Sequence, residues 1–184
     1  MKKCAIFLFI ATLLFSCGKH KEEINYIEIN GRSYPLRSAF YEDYGTTVWG
    51  VGSNKYRTYY IELQSEESVS MHPRSKLGFY LYSWDLAYIG DGTYYLGSEK
   101  PSSFEGAFVG ANMRYDAKGY EIGGEFLDNL DPSYANRIEI HTAGKRNTKI
   151  FDVNLRFIED GQKSYTVIAH YERGLVERPI VEVY

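Results

Sequence analysis

Cysteine is almost missing from this chain: there are two in 184 residues, Cys4 and Cys17, both close to the N-terminus. Everything after Cys17 can form no disulfide, no thiolate metal site and no cysteine nucleophile, so a domain built from it depends on its own core. Helical periodicity is missing too. No segment repeats apolar residues at i, i+3, i+4 and i+7 for longer than a turn or two. A basic excess is missing, since the net charge is −3. With no basic stripe, nucleic acid is a poor partner. The longest apolar run, Ala5 to Phe15, holds eleven residues. A membrane-spanning helix needs about 20. No His-Glu-x-x-His, Gly-x-Ser-x-Gly or complete phosphate loop occurs. Gly50-Val-Gly-Ser-Asn-Lys55 lacks the following Ser or Thr and reads as a plain loop. These absences predict no catalytic residues, no metal site and no cofactor.

The N-terminus carries an address. Lys2 and Lys3 precede the apolar run, whose length fits the ~7–15 residues of a secretory signal. The segment Leu14-Phe15-Ser16-Cys17-Gly18 follows. It resembles a lipobox: a branched apolar residue three before the cysteine, a small residue directly before it, and glycine after it. Phe15 departs from the usual small residue. The resemblance implies cleavage before Cys17 and acylation of its thiol, with each buried methylene contributing about 0.8 kcal/mol to anchoring. An ordinary cleaved signal with a chance cysteine is the alternative. The expected organisation is a signal over 1–16, a lipidated cysteine and polar tether over 17–23, and one all-β domain over 24–184. Without Lys2 and Lys3, 19 basic residues face 24 acidic ones, a balance of −5.

From Ile24 onward the period is 2. Phe151, Val153, Leu155 and Phe157 alternate with Asp152, Asn154 and Arg156, which predicts a strand with one wet face. Tyr165, Val167, Ala169 and Tyr171 form a second such series, joined to the first through Asp160-Gly161, a hairpin turn pair. Tyr26 to Ile29 and Arg32 to Leu36 flank Asn30-Gly31, the preferred type I′ pair. Pro35 cannot donate to a ladder, so that strand belongs at an edge. Further strands are expected at 59–64, 77–83, 104–115 and 137–142, with weaker ones at 94–96 and 120–126. Residues 41–56 read as a long aromatic-bearing segment between strands. The total is nine or ten strands. An antiparallel β-sandwich is the expected architecture, with a closed, lipocalin-like barrel as the alternative.

Four segments together resemble a group of small lipoproteins of unknown function from Bacteroidota. They are Asn30 to Leu36, Leu77 to Ser83, Asp91-Gly-Thr-Tyr-Tyr-Leu96, and Asp160-Gly161 through Tyr171. Tyr171-Glu-Arg-Gly174 is one residue longer than the usual closing motif, and residues 178–184 continue past it. The resemblance implies an exported, lipid-anchored β domain of the cell envelope, at the outer membrane and facing either the periplasm or the surface. Lys21-Glu22-Glu23 is similar to a loose surface-export signal. No activity is implied.

Aromatics are the functional hint, with 18 Tyr, 10 Phe and 2 Trp. In Leu77 to Trp84 the alternation assigns Leu77, Phe79 and Leu81 to the core. Tyr80 and Tyr82 fall on the opposite face, and Trp84 at the strand end. With Tyr44 and Trp49 these are the candidate ligand-binding aromatics. Flat rings beside acids and amides suit the C–H faces of a glycan or the hot spots of an envelope protein. Ordinary packing explains the same rings. A structural subunit pairing through the tail 180–184 is a further reading. Among the acids, Glu42, Asp43 and Asp85 lie near these aromatics and are the least implausible pair-formers for hydrolysis. His141 and His170 fall on the polar side of strands, and His20 and His72 in exposed segments. Turn chemistry accounts for Asp128, Asn129 and Asp131 better than calcium does.

Overall fold

The computed structural model describes residues 24–48, 54–66, 70–97, 100–144, 148–159 and 163–180. Cys17, Trp49, the tether and the Asp160-Gly161 turn lie outside them.

The described residues form an all-β fold of twelve strands. These are β1 (Tyr26–Ile29), β2 (Arg32–Pro35), β3 (Ser38–Val48), β4 (Lys55–Gln64), β5 (Lys76–Ser83), β6 (Gly92–Leu96), β7 (Ser103–Tyr115), β8 (Glu121–Leu127), β9 (Arg137–Thr142), β10 (Thr148–Glu159), β11 (Lys163–Gly174) and β12 (Val176–Glu177). The opening hairpin turns at Asn30 and Gly31, with φ of 48° and 82°. Two consecutive positive φ values are what a type I′ turn requires. β2, with Pro35, ends the sheet as its composition demands. β10 and β11 pair from Thr148↔Gly174 to Glu159↔Lys163.

The sandwich expectation is corrected. One hydrogen-bonded path, β12-β3-β4-β5-β7-β6-β9-β10-β11-β1-β2, joins all strands but β8, which pairs with β7. The sheet curls into a half-barrel and is mixed, not purely antiparallel. The reason lies in β6. It pairs parallel to β7 through Tyr95↔Ser103 and Leu96↔Phe104 and antiparallel to β9, which bridges two halves that would otherwise be separate sheets. Those halves still meet across the interior, where Phe79 of β5 and Phe151 of β10 have ring centroids 6.3 Å apart. The inward series Leu77, Phe79, Leu81, Phe151, Val153, Leu155 and Phe157 is buried, as the alternation predicts.

Two strands escaped the sequence reading. β3 occupies the first half of the segment 41–56 that was expected to connect strands. Its period is broken at a bulge between Asp43 and Gly45, where Gly45 takes φ 83°. β12 is two residues long and parallel to β3.

β3, β4 and β5 also carry buried rings on their outward side. Phe40, Tyr56 and Tyr82 are buried without belonging to the interior cluster. This part of the sheet therefore has two apolar faces.

Candidate functional site

The residues after β5 build a rim at one end of the half-barrel. Ser83 is fully buried and organises the loop. Its hydroxyl donates to the Tyr88 carbonyl at 3.0 Å and accepts from the amides of Asp85 (3.2 Å) and Gly90 (3.0 Å). Asp85 accepts from the Ala87 amide at 2.9 Å, a local turn bond of the kind aspartate makes. Tyr94 donates to the Gly90 carbonyl at 2.7 Å, and Arg57 to the Leu86 carbonyl at 2.7 Å. The loop is thus held from three strands.

Trp84 stands on this scaffold as a fixed platform. Its Nε1 donates to the Asp91 carbonyl at 3.2 Å. The indole lies against Gly90, where an added Cβ would come within 3.0 Å of the ring. Yet Trp84 is 53% exposed, and Tyr88 beside it is exposed as well. An anchored indole with half its surface in water presents apolar area whose ordering entropy is already spent.

A charged cluster faces it. Lys149, 5% exposed, is buried on β10. Its ammonium donates to Asp91 Oδ1 at 2.9 Å and to Thr142 Oγ1 at 2.7 Å. Asp91 also accepts from the Thr142 hydroxyl at 2.7 Å and the Thr142 amide at 3.1 Å. Burial pushes the Asp91 carboxyl up, but the bonds from Lys149 and Thr142 outweigh it and hold the group below its usual range. Trp84, Tyr88, Asp91, Thr142 and Lys149 line one depression of about 240 Å³. A smaller cavity of about 80 Å³, lined by Tyr41, Asp43, Tyr59 and Leu175, adjoins it and shares Tyr88, Ile89 and Lys149. Together they form a mouth, and each alone is smaller than the roughly 300–1,000 Å³ of a drug-sized ligand site.

The structure separates the predicted aromatics. Trp84 belongs to the mouth. Tyr44 and Tyr80 are exposed on the outward face, with ring centroids 6.0 Å apart. Tyr82 does not join them as an exposed ring: it is 5% exposed, a correction to the expectation. Its hydroxyl donates to Glu105, and its ring meets Tyr56 edge-on at 5.2 Å. Alternation fixes which face a side chain takes, but a second packed face can still bury it.

Of the predicted acids, Asp85 and Asp43 line the two cavities of the mouth, whereas Glu42 takes the opposite face of β3; Glu42 pairs with Arg178 and Asp43 with Arg57. His170 Nδ1 lies 2.7 Å from Asp152. His141 sits opposite Ile150, so the two histidines do not face each other. Asp131 accepts from the Ser133 amide at 2.9 Å and its hydroxyl at 2.6 Å, the turn chemistry expected there. Sequence reasoning missed Tyr88, Thr142, Asp91 and Lys149 as site residues. One signal was available: Lys149 falls in phase with the inward series Phe151, Val153, Leu155 and Phe157. A lysine in an inward phase is either paired or functional.

No protein-family model, curated protein or solved structure matches this chain.

Proposed function

We propose that this chain is an exported cell-envelope lipoprotein, anchored through Cys17, whose β domain is a non-enzymatic binding module for a glycan at the mouth. Export and anchoring rest on the n-region, the apolar run and the lipobox-like Leu14 to Gly18. An outer-membrane location is supported by the resemblance of four segments to Bacteroidota lipoproteins. The glycan reading rests on one observation: a half-exposed, hydrogen-bonded indole beside a compact Asp91–Lys149–Thr142 cluster. A pyranose offers an apolar face of C–H bonds and an edge of hydroxyls. The indole suits the first and the cluster suits the second, because a carboxylate accepts and an ammonium donates at neighbouring positions. Lys149 commits two of its three N–H donors within the protein, leaving one for a ligand oxygen.

The test uses the mature protein in detergent on a glycan array, followed by titration of each hit with tryptophan fluorescence. Trp84→Ala is expected to weaken binding by roughly tenfold or more, the range for loss of one aromatic hot spot. Lys149→Met is expected to abolish discrimination among hydroxyl epimers. Unchanged affinity in Trp84→Ala refutes the site. Anchoring has its own test: Cys17→Ser should move the protein from the membrane to the soluble fraction, and a carbonate-resistant membrane-bound mutant would refute it.

A further inference from the structure

The outward face of β3, β4, β5, β7 and β8 holds a belt of rings that the mouth does not use. Centroid separations are 6.1 Å for Phe40–Tyr60, 5.3 Å for Tyr60–Tyr80, 6.0 Å for Tyr44–Tyr80, 6.4 Å for Tyr60–Phe108 and 5.7 Å for Phe108–Phe126. Glycines seat the belt on the backbone. Gly78 leaves room for Phe108, and Gly106, at φ 59°, leaves room for Tyr80. Tyr44, Tyr80 and Phe126 remain exposed.

The protein already places its own cations on two of these rings. The Arg178 guanidinium carbon lies 3.6 Å from the Phe40 centroid, and Lys76 Nζ lies 5.3 Å from that of Phe108. Beneath the belt, carboxylates accept from its hydroxyls. Tyr44 donates to Glu42 at 2.9 Å, Tyr60 to Glu62 at 2.5 Å, and Tyr82 to Glu105. Glu42 is neutralised by Arg178, whereas Glu62 and Glu105 have no basic partner among the described residues. Glu62 is also nearly buried, so its charge is poorly screened by water. Ring faces carry negative potential, and uncompensated carboxylates beneath them add to it. Tyr80, opposite Glu105 and Tyr60 in the ladders, shares that potential, and it and Tyr44 are exposed and carry no cation among the described residues.

We propose that the Tyr44–Tyr80 notch docks arginine or lysine side chains of an extended segment of a partner protein. The occupant follows from charge complementarity and from the chain's own precedent. Arg178 reaches Phe40 from the short stretch that runs parallel along β3, its amide donating to the Tyr41 carbonyl at 2.9 Å. An extended backbone delivering a basic side chain onto the belt is an arrangement this protein already adopts. The open belt suits a segment better than a small enclosed ligand.

The test titrates the full chain in detergent with an arginine-rich peptide, its citrulline counterpart and its glutamate counterpart, by calorimetry at low and high salt. The arginine peptide is expected to bind at least tenfold more tightly than the citrulline peptide, and the glutamate peptide not at all. Tyr80→Ala and Tyr44→Ala should each weaken binding several-fold. Tyr80→Phe should keep most of it, because the ring face survives. Glu62→Gln should weaken binding, and Trp84→Ala should leave it unchanged, which separates this surface from the mouth. Equal binding of the arginine and citrulline peptides overturns the proposal. So does an arginine-peptide affinity that Tyr80→Ala and Tyr44→Ala do not alter, or one abolished by Trp84→Ala.

Discussion

Replacing Gly78 with alanine tests whether the outward belt is a packed layer or a loose covering. Gly78 lies on β5 between Glu62 of β4 and Phe108 of β7. A Cβ added there would sit 2.4 Å from Phe108 Cζ, 2.6 Å from its Cε1 and 2.9 Å from the Tyr60 hydroxyl. Carbon atoms prefer about 3.5–4.0 Å, so the Phe108 ring must move by roughly an ångström. Moving it disturbs its contacts with Phe126, Tyr60 and Lys76. Overpacking of this kind costs about 1–3 kcal/mol. Alanine in a strand regains about 0.5–1 kcal/mol over glycine through the unfolded chain. The net is a destabilisation of up to about 2.5 kcal/mol, or a Tm lowered by up to roughly 10 °C for a domain of this size. With Phe108→Ala in place the obstacle is gone, and only the terminal hydroxyl of Tyr60 must swing aside. Gly78→Ala should then be neutral or stabilising by up to about 1 kcal/mol. Urea melts of the wild type, both single variants and the double variant close the cycle, with an expected coupling of at least ~1 kcal/mol. Equal destabilisation by Gly78→Ala in both backgrounds refutes the packing argument.

Two further perturbations act through protons. In both Asp43 and Asp91 burial pushes the carboxyl up, but bonds from Arg57 and Gly45, and from Lys149 and Thr142, hold each below its ordinary value. Their contribution is complete above the unfolded value of about 3.9 and is lost as pH falls through the lowered folded values. Asp91→Asn should therefore flatten the decline of Tm on acidification, and a parallel decline in the variant counts against the pairing. Burial pushes the Tyr94 and Tyr171 phenols up to about 12, and burial with the Glu42 carboxylate does the same for Tyr44. Tyr59 and Tyr60 are raised further by burial, with the Glu62 carboxylate adding to the second. Stability from these groups is complete below the ordinary tyrosine value of about 10 and is lost as pH climbs through the raised ones. An ultraviolet titration should show a lagging class of phenols that ionises together with loss of near-ultraviolet dichroism, whereas all tyrosines ionising together near 10 would refute it.

What the sequence made legible was local. The strict alternation of β10 and β11, the Asn30-Gly31 turn and the edge position of Pro35 follow from pleat geometry and backbone sterics, which act over a few residues. What stayed hidden depends on distant partners. β3 places Ala39 and Tyr41 inward and Phe40, Glu42 and Tyr44 outward, so apolar residues fall on both phases and the alternation disappears. The same two-faced burial explains Tyr82. The half-barrel was hidden because the bridging strand β6 pairs with β7 through only two residues, too short a run to leave a pattern. The mouth was half legible. Trp84 stood out by type, while Lys149, Asp91 and Thr142 come from three separate strands or loops and meet only after folding.

β5 explains why the mouth and the belt can coexist. Leu77, Phe79 and Leu81 fix it to the interior, while Gly78, Tyr80 and Tyr82 build the belt. The chain then leaves the sheet at Ser83 and delivers Trp84 to the rim. Both edges of β5 are paired, with β4 and β7, so its backbone cannot slide without breaking two ladders. A slip by one residue would exchange the faces entirely, putting Tyr80 in the interior and Phe79 on the outward belt. The register that builds the core therefore also sets the separation between Tyr80 and Trp84, roughly 13 Å along an extended chain. That distance leaves separate room for the proposed sugar at the mouth and the proposed basic segment on the belt. Each surface can be altered on its own, provided Leu77, Phe79 and Leu81 of β5 stay apolar and Ser83 keeps its hydroxyl.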